Sequence, residues 1–163
     1  PDVLHDLEHM PYPFDDGTFD RIEADHVLEH LENPFRVMGE LHRLLKNGAD
    51  LIIRTPHFSR GFTHAQHKRG FDVAFPFYFQ RSYTGGYTGV DFDLVQMRLV
   101  WFAQPEFKKT TTMPRPVYYA LRGIGLVLDF LANLQPFVCS RIWCFWVGGF
   151  EEIYFHFRCV KTT

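Results

Sequence analysis

Nine histidines stand among 163 residues, and five of them fall where imidazole chemistry can be done. In the run His26-Val-Leu-Glu29-His30 the three polar side chains are spaced i, i+3, i+4, so one helical turn presents them on one face. Such a trio supports two kinds of chemistry: His26 or His30 as general base on an acceptor hydroxyl, or a divalent cation between two imidazoles and a carboxylate. A structural reading competes with both, in which Glu29 and His30 orient the turn by hydrogen bonds. A histidine at the first position weighs against a hard, oxygen-seeking cation. No metal is therefore expected, and His26, Glu29 and His30 stand as the weak candidates for one. A second group, His57, His64 and His67, lies beside Lys68 and Arg69. Zinc would want a fourth ligand and no Cys is near. His57, His64, His67 and Arg69 read instead as a polar, basic lid over a bound molecule, able to meet a carboxylate or phosphate. Phe71, Phe75, Phe77, Tyr78 and Phe79 follow at once, either to stack on a flat or apolar acceptor or to pack the insert on a sheet.

The elements that must position these groups can be read from periodicity. Residues 19–27 alternate apolar and polar after the turn Asp15-Asp16-Gly17, which is a strand pattern. Asn33-Pro34 places an N-cap and a proline at the first helical position, and Phe35, Val37, Met38, Leu41, Leu44 and Leu45 continue at helical spacing. Asn47-Gly48 reads as the helix stop, and residues 49–55 as a second strand ended by Pro56. Strand, helix and strand in so short a span make a crossover unit, hence a parallel sheet and an α/β class. Residues 58–90 are irregular and long enough to be functional. Strands are expected at 91–102 and 151–160, with a helix over 117–134.

Composition narrows the class. At 19.2 kDa, 46% hydrophobic and 22% charged, the chain is one domain or part of one, and neither disordered nor low in complexity. The net charge of −2 argues against a nucleic-acid partner, but residues 1–57 hold 12 acidic and 5 basic side chains, and the remainder 7 and 12. Cys139, Cys144 and Cys159 are odd in number and form no CxxC, which fits reduced thiols and a cytoplasmic location. Arg122 and Asp129 interrupt the apolar stretch 117–134, so a membrane span is not expected. A helix packed on the sheet is favoured there over one lying on a membrane surface.

One ordered series of short motifs goes further. It runs through His5-Asp6-Leu7, Pro11-Tyr-Pro-Phe14, Asp16-Gly-Thr-Phe-Asp20, His26-Val-Leu-Glu-His-Leu31, Asn33-Pro34, Glu40-Leu-His-Arg-Leu-Leu-Lys46, Gly48 and Leu51-Ile-Ile-Arg-Thr-Pro56. This series closely resembles the class I S-adenosylmethionine-dependent methyltransferases, of the type that includes the small-molecule methylases. The resemblance implies a doubly wound Rossmann-like sheet of seven strands, the last antiparallel, with helices on both faces and the cofactor across the carboxyl ends of the parallel strands. It makes 19–27 the fourth strand, 49–55 the fifth, and 91–102 and 151–160 the sixth and seventh. It further implies that Asp6 and Leu7 meet the adenine of S-adenosylmethionine, and that Ala24 and Asp25 line the cofactor at the end of the fourth strand. The family's glycine-rich loop has no counterpart, since no GxGxG occurs. The chain thus reads as the carboxyl-terminal part of such a domain, with the first three strands missing. Residues 1–57 form its cofactor side, 58–90 an acceptor insert, and 91–163 the last two strands with a helical insert near 114–134. Methyl transfer to a small-molecule or lipid-like acceptor is the implied activity; a non-catalytic binding or partner module is the alternative.

Overall fold

The computed structural model describes residues 2–61, 64–111 and 113–161, with only the backbone of Thr111. Four strands make one sheet: β1 Phe19–Asp25, β2 Leu45–Pro56, β3 Asp91–Val100 and β4 Glu152–Val160, in the order β1-β2-β4-β3. β1 and β2 are parallel, and β4 runs antiparallel between β2 and β3. This is the expected fourth, fifth, seventh and sixth strand arrangement with an antiparallel last strand. β1 lies at one edge of the described sheet, β3 at the other.

Helix α1, Pro34–Leu44, joins β1 to β2 as the spacing predicts. Asn33 caps it, its side chain accepting from the Arg36 N–H at 3.1 Å. The expected stop is corrected. The helix ends at Leu44 without a glycine, and Asn47-Gly48 belongs to β2. Phe19 pairs with Leu45 and Arg21 with Asp50, so β2 carries extra residues over this step, and Gly48 takes φ +79° within them. A left-handed position inside a bulge favours glycine as much as a helix end does.

Alternation along the strands divides the sheet into two unlike faces. Leu51, Ile53, Ile153, Phe155, Phe157, Phe92 and Leu99 are buried, and α1 covers them with Val37, Met38, Leu41 and Leu44. The aromatic half of the insert completes this core. Phe71 stacks edge-on to Phe75, and Phe75 and Phe79 touch Phe155 and Phe157 at ring distances of 5.6 and 5.9 Å. Phe71, Phe75 and Phe79 are thus packing groups and not an acceptor platform. The opposite face carries ion pairs: Arg54 near Glu23 and Asp25, and Asp50 with His156 and Arg158.

Beyond β3 lie three helices, α2 Pro105–Thr111, α3 Arg115–Leu134 and α4 Pro136–Arg141. The residues of α3 that face the protein are Tyr118, Gly125 and Ala132, with the polar Asp129 and Asn133 between them. Asp129 accepts from the Trp101 N–H at 2.6 Å, while Asn133 accepts from Leu99 N–H at 2.9 Å and donates to Leu99 C=O at 2.8 Å. A Cβ on Gly125 would lie 2.9 Å from Cβ of Phe102, so glycine permits this close approach. Val117, Ile124, Leu126, Val127, Phe130, Leu131 and Leu134 face outward and are exposed. The helix packs against β3 as periodicity led one to expect, but it does so through its small and polar side, and its apolar side is turned away from the sheet. By length and composition alone, α3 would suffice to cross a membrane.

Candidate functional site

β1 ends at Asp25, and His26 follows it in a left-handed conformation, φ +52°, with its N–H bonded to Arg54 C=O at 2.9 Å. This strained turn at the strand end lifts the imidazole between two carboxylates. Glu152, the first residue of β4, meets Nε2 at 3.0 Å, and Glu29 meets Nδ1 at 3.2 Å. The hydrogen bond to Glu152, then that to Glu29, raises the His26 pKa to about 10 against an opposing burial effect. His26 is thus an imidazolium at neutral pH and offers no lone pair. The base role foreseen for His26 does not fit this arrangement, and neither does a place for it among metal ligands.

Glu29 is fully buried in a single 3-10 turn, Leu28–His30, that carries the chain from the end of β1 toward α1. Burial alone would raise its pKa, but the His26 hydrogen bond and further favourable contacts hold it below the usual range. Its Oε2 accepts from the Thr55 hydroxyl at 3.3 Å. Its Oε1 faces His30 Nε2 and His67 Nε2, each at 4.0 Å. The insert is tied here as well, Lys68 N–H donating to Glu29 C=O at 2.8 Å.

These groups open onto a hollow of about 440 Å³ at the carboxyl ends of β1 and β2. His26, His30, His64 and His67 form one wall, with Arg60, Gln104, Lys108 and Glu151 opposite. Glu151 is the hub of that second wall. It pairs with Arg60 at 3.1 Å and with Lys108, and accepts from the Ala103 N–H at 2.7 Å. Among the imidazoles, His64 stacks on His67 at 4.8 Å and His30 lies edge-on to His67 at 4.9 Å. Basic and imidazole groups around a solvent-filled hollow can orient an oxygen-bearing or anionic molecule by charge-assisted hydrogen bonds.

Of the residues chosen from sequence for the acceptor, His64 and His67 line this hollow, and two do not. His57 is fully buried, with Ser59 Oγ 2.7 Å from Nδ1 and Ser140 Oγ 2.8 Å from Nε2. Burial lowers its pKa to about 4, so it is a neutral core histidine. Arg69 faces a separate hollow beside Phe35, Asp72 and Arg141, and donates to Glu32 C=O at 2.7 Å. His57 and Arg69 are corrected on these grounds.

The cofactor side is one wall only. Leu7 and Ala24 line a mostly apolar hollow of about 350 Å³ beside β1, with Tyr12, Phe19, Ile22 and Leu28. Asp6 and Asp25 do not line it. The Asp6 carboxylate accepts from Glu8 N–H at 3.0 Å and meets His9 at 3.0 Å in an exposed turn, while Asp25 sits 3.7 Å from Arg54.

Glu151, Glu152, Arg60 and Lys108 were not singled out from sequence. A signal for the first two existed: an acidic pair one residue beyond Gly148-Gly149, at the mouth of an otherwise aromatic strand. The partners of Arg60 and Lys108 lie far along the chain, and local spacing holds no sign of them.

Residues 2–53 match the family model described as a methyltransferase domain. Among solved structures, the chain is similar to the [4+2]-cyclase SpnF, with TM-score 0.51 and 18% identity over 98% of this chain and 56% of that one. A candidate methyltransferase of Bacillus halodurans gives TM-score 0.53 and 15% identity over 96% and 76% of the two chains. A candidate sarcosine dimethylglycine methyltransferase of Galdieria sulphuraria gives 0.53 and 14%, over 98% and 58%. The chain therefore spans less than two thirds of two of these structures. Among curated proteins no sequence relative was found. In sequence the first third of the chain matches the methyltransferase domain family, and the whole chain shares the Rossmann-like fold of these structures. One of the similar structures is a cyclase, so the fold alone does not fix the reaction.

Proposed function

We propose that this chain supplies the acceptor side of a methyltransferase, whose other half, carrying the first three strands, holds S-adenosylmethionine. The reading is carried by the position of the polar hollow, at the carboxyl ends of β1 and β2, where open α/β sheets bind ligands. S-adenosylmethionine would supply the methyl group when bound. The residues of this chain would align the acceptor and shape its surroundings. His64, His67, Arg60 and Lys108 would hold an oxygen-bearing small molecule, and the Nε2 of His30 would take its proton. The test is transfer of labelled methyl to a panel of hydroxyl- and carboxylate-bearing acceptors by the protein carrying all seven strands. His64→Ala is expected to raise KM about tenfold with little change in kcat. Transfer to no acceptor by a folded protein that binds S-adenosylhomocysteine would instead support the binding module. A cytoplasmic location is proposed with this reading, on the three thiols, all buried and unpaired.

A second reading is favoured by one observation, the outward apolar side of α3. Asp129 bonds inward to Trp101 and Arg122 is half-buried, while Phe130, Leu126, Val127 and Ile124 are 50–67% exposed. Phe145 and Trp146 extend the patch. Exposed apolar area of this kind marks a lipid or protein surface. Co-sedimentation with vesicles, abolished by Phe130→Glu at unchanged melting temperature, is the result expected for a lipid-like acceptor at a membrane.

A further inference from the structure

We propose that Glu29, His30 and His67 form a binding site for a single borderline divalent metal ion of the zinc type. The three side chains each offer a ligand atom, and these atoms lie within 4.8 Å of one another. The argument rests on which nitrogens are left bare. His67 Nδ1 lies 2.7 Å from Gly61 C=O and His30 Nδ1 lies 3.3 Å from Gln66 C=O. A carbonyl only accepts, so both rings donate from Nδ1, and in the neutral form of each ring the lone pair lies on Nε2. Those two nitrogens converge on Glu29 Oε1, each 4.0 Å away, too far for a hydrogen bond.

A backbone carbonyl behind each imidazole is the outer support that metal-ligating histidines use to fix tautomer and ring direction. Tetrahedral ligands at roughly 2.1 Å from an ion sit about 3.4 Å apart, so closing the site needs movement of an ångström or less. Two imidazoles with one carboxylate select zinc and its neighbours over magnesium or calcium. Three protein ligands facing a hollow leave a position open for water or a bound oxygen. His26 and His64 stand outside the set. Both nitrogens of His26 are taken by Glu29 and Glu152, and His64 Nδ1 accepts from Gln66 N–H at 3.3 Å. Occupied, the site would turn the His30 nitrogen from base to ligand and pin the insert to the end of β1. The inference does not depend on methyl transfer.

The test is titration of the chelator-treated protein with Co²⁺, read by visible absorption, then displacement with Zn²⁺. The result expected is one saturating equivalent, displaced by Zn²⁺, with affinity falling at least tenfold in His67→Ala and in His30→Ala. His5→Ala and His9→Ala, in a turn away from this site, should bind as the unaltered protein does. Side-chain ¹⁵N spectra of the unaltered protein avoid dependence on variants that fail to fold: Zn²⁺ should shift Nε2 of His30 and His67 and leave His57 in place. Absence of stoichiometric binding, full binding by folded His67→Ala, or shifts confined to other histidines would overturn the proposal.

Discussion

His26 and Glu152, separated by 126 positions, meet at 3.0 Å and so tie the end of β1 to the start of β4 across the intervening strand. The contact places a fixed positive charge at the floor of the hollow, against Glu29 on its other side.

Stability should therefore fall with alkaline pH. The His26 pKa is raised to about 10 in the folded protein, against about 6.5 unfolded. Its contribution is present in full below about pH 6.5 and is lost as pH climbs from there to about 10. Glu152→Gln should cost roughly 1.5–3 kcal/mol at pH 7 and progressively less toward pH 10. Urea unfolding at several pH values checks this, and a variant curve parallel to the unaltered one would refute it.

His57 predicts the opposite slope on the acid side. Its pKa is lowered to about 4 by burial, so the folded state resists protonation. Stability is complete above about pH 6.5 and is lost as pH falls from there toward 4, by roughly 3 kcal/mol. His57→Gln should flatten this limb relative to the unaltered protein while leaving acceptor binding untouched. An unchanged acid limb would mean that His57 is not buried neutral.

Asn133 closes the outer edge of β3 by bonding both main-chain groups of Leu99. Removing the amide leaves a donor and an acceptor without partners, which costs about 1–3 kcal/mol. Asn133→Ala should lower stability by that amount and speed hydrogen exchange at the Leu99 amide. Protection of that amide equal to the unaltered protein would show the cap to be idle.

The four strands and α1 were legible because alternation and the Asn33-Pro34 cap are local signals. Gly48 was misread because a left-handed glycine serves a bulge as well as a helix end. The helices α2 and α4 span seven and six residues, too short for periodicity, although Pro105 and Pro136 mark their starts. In α3 the helical spacing was visible but not its direction. Gly125 and Ala132 allow close approach, and Asp129 and Asn133 satisfy a strand edge, so the polar side turns inward. At the site, His30 and His67 were found from residue type alone. Glu152, the burial of His57 and the inward bonding of Arg69 depend on contacts far along the chain, which no local pattern carries.

The proposal at stake is that this chain supplies the acceptor side of a methyltransferase. Calorimetric titration of S-adenosylhomocysteine into two proteins tests it most directly: this chain, and the protein carrying the first three strands as well. The account predicts binding by the longer protein only. Failure of the longer protein to bind while folded, or binding by residues 1–163 alone, would contradict it.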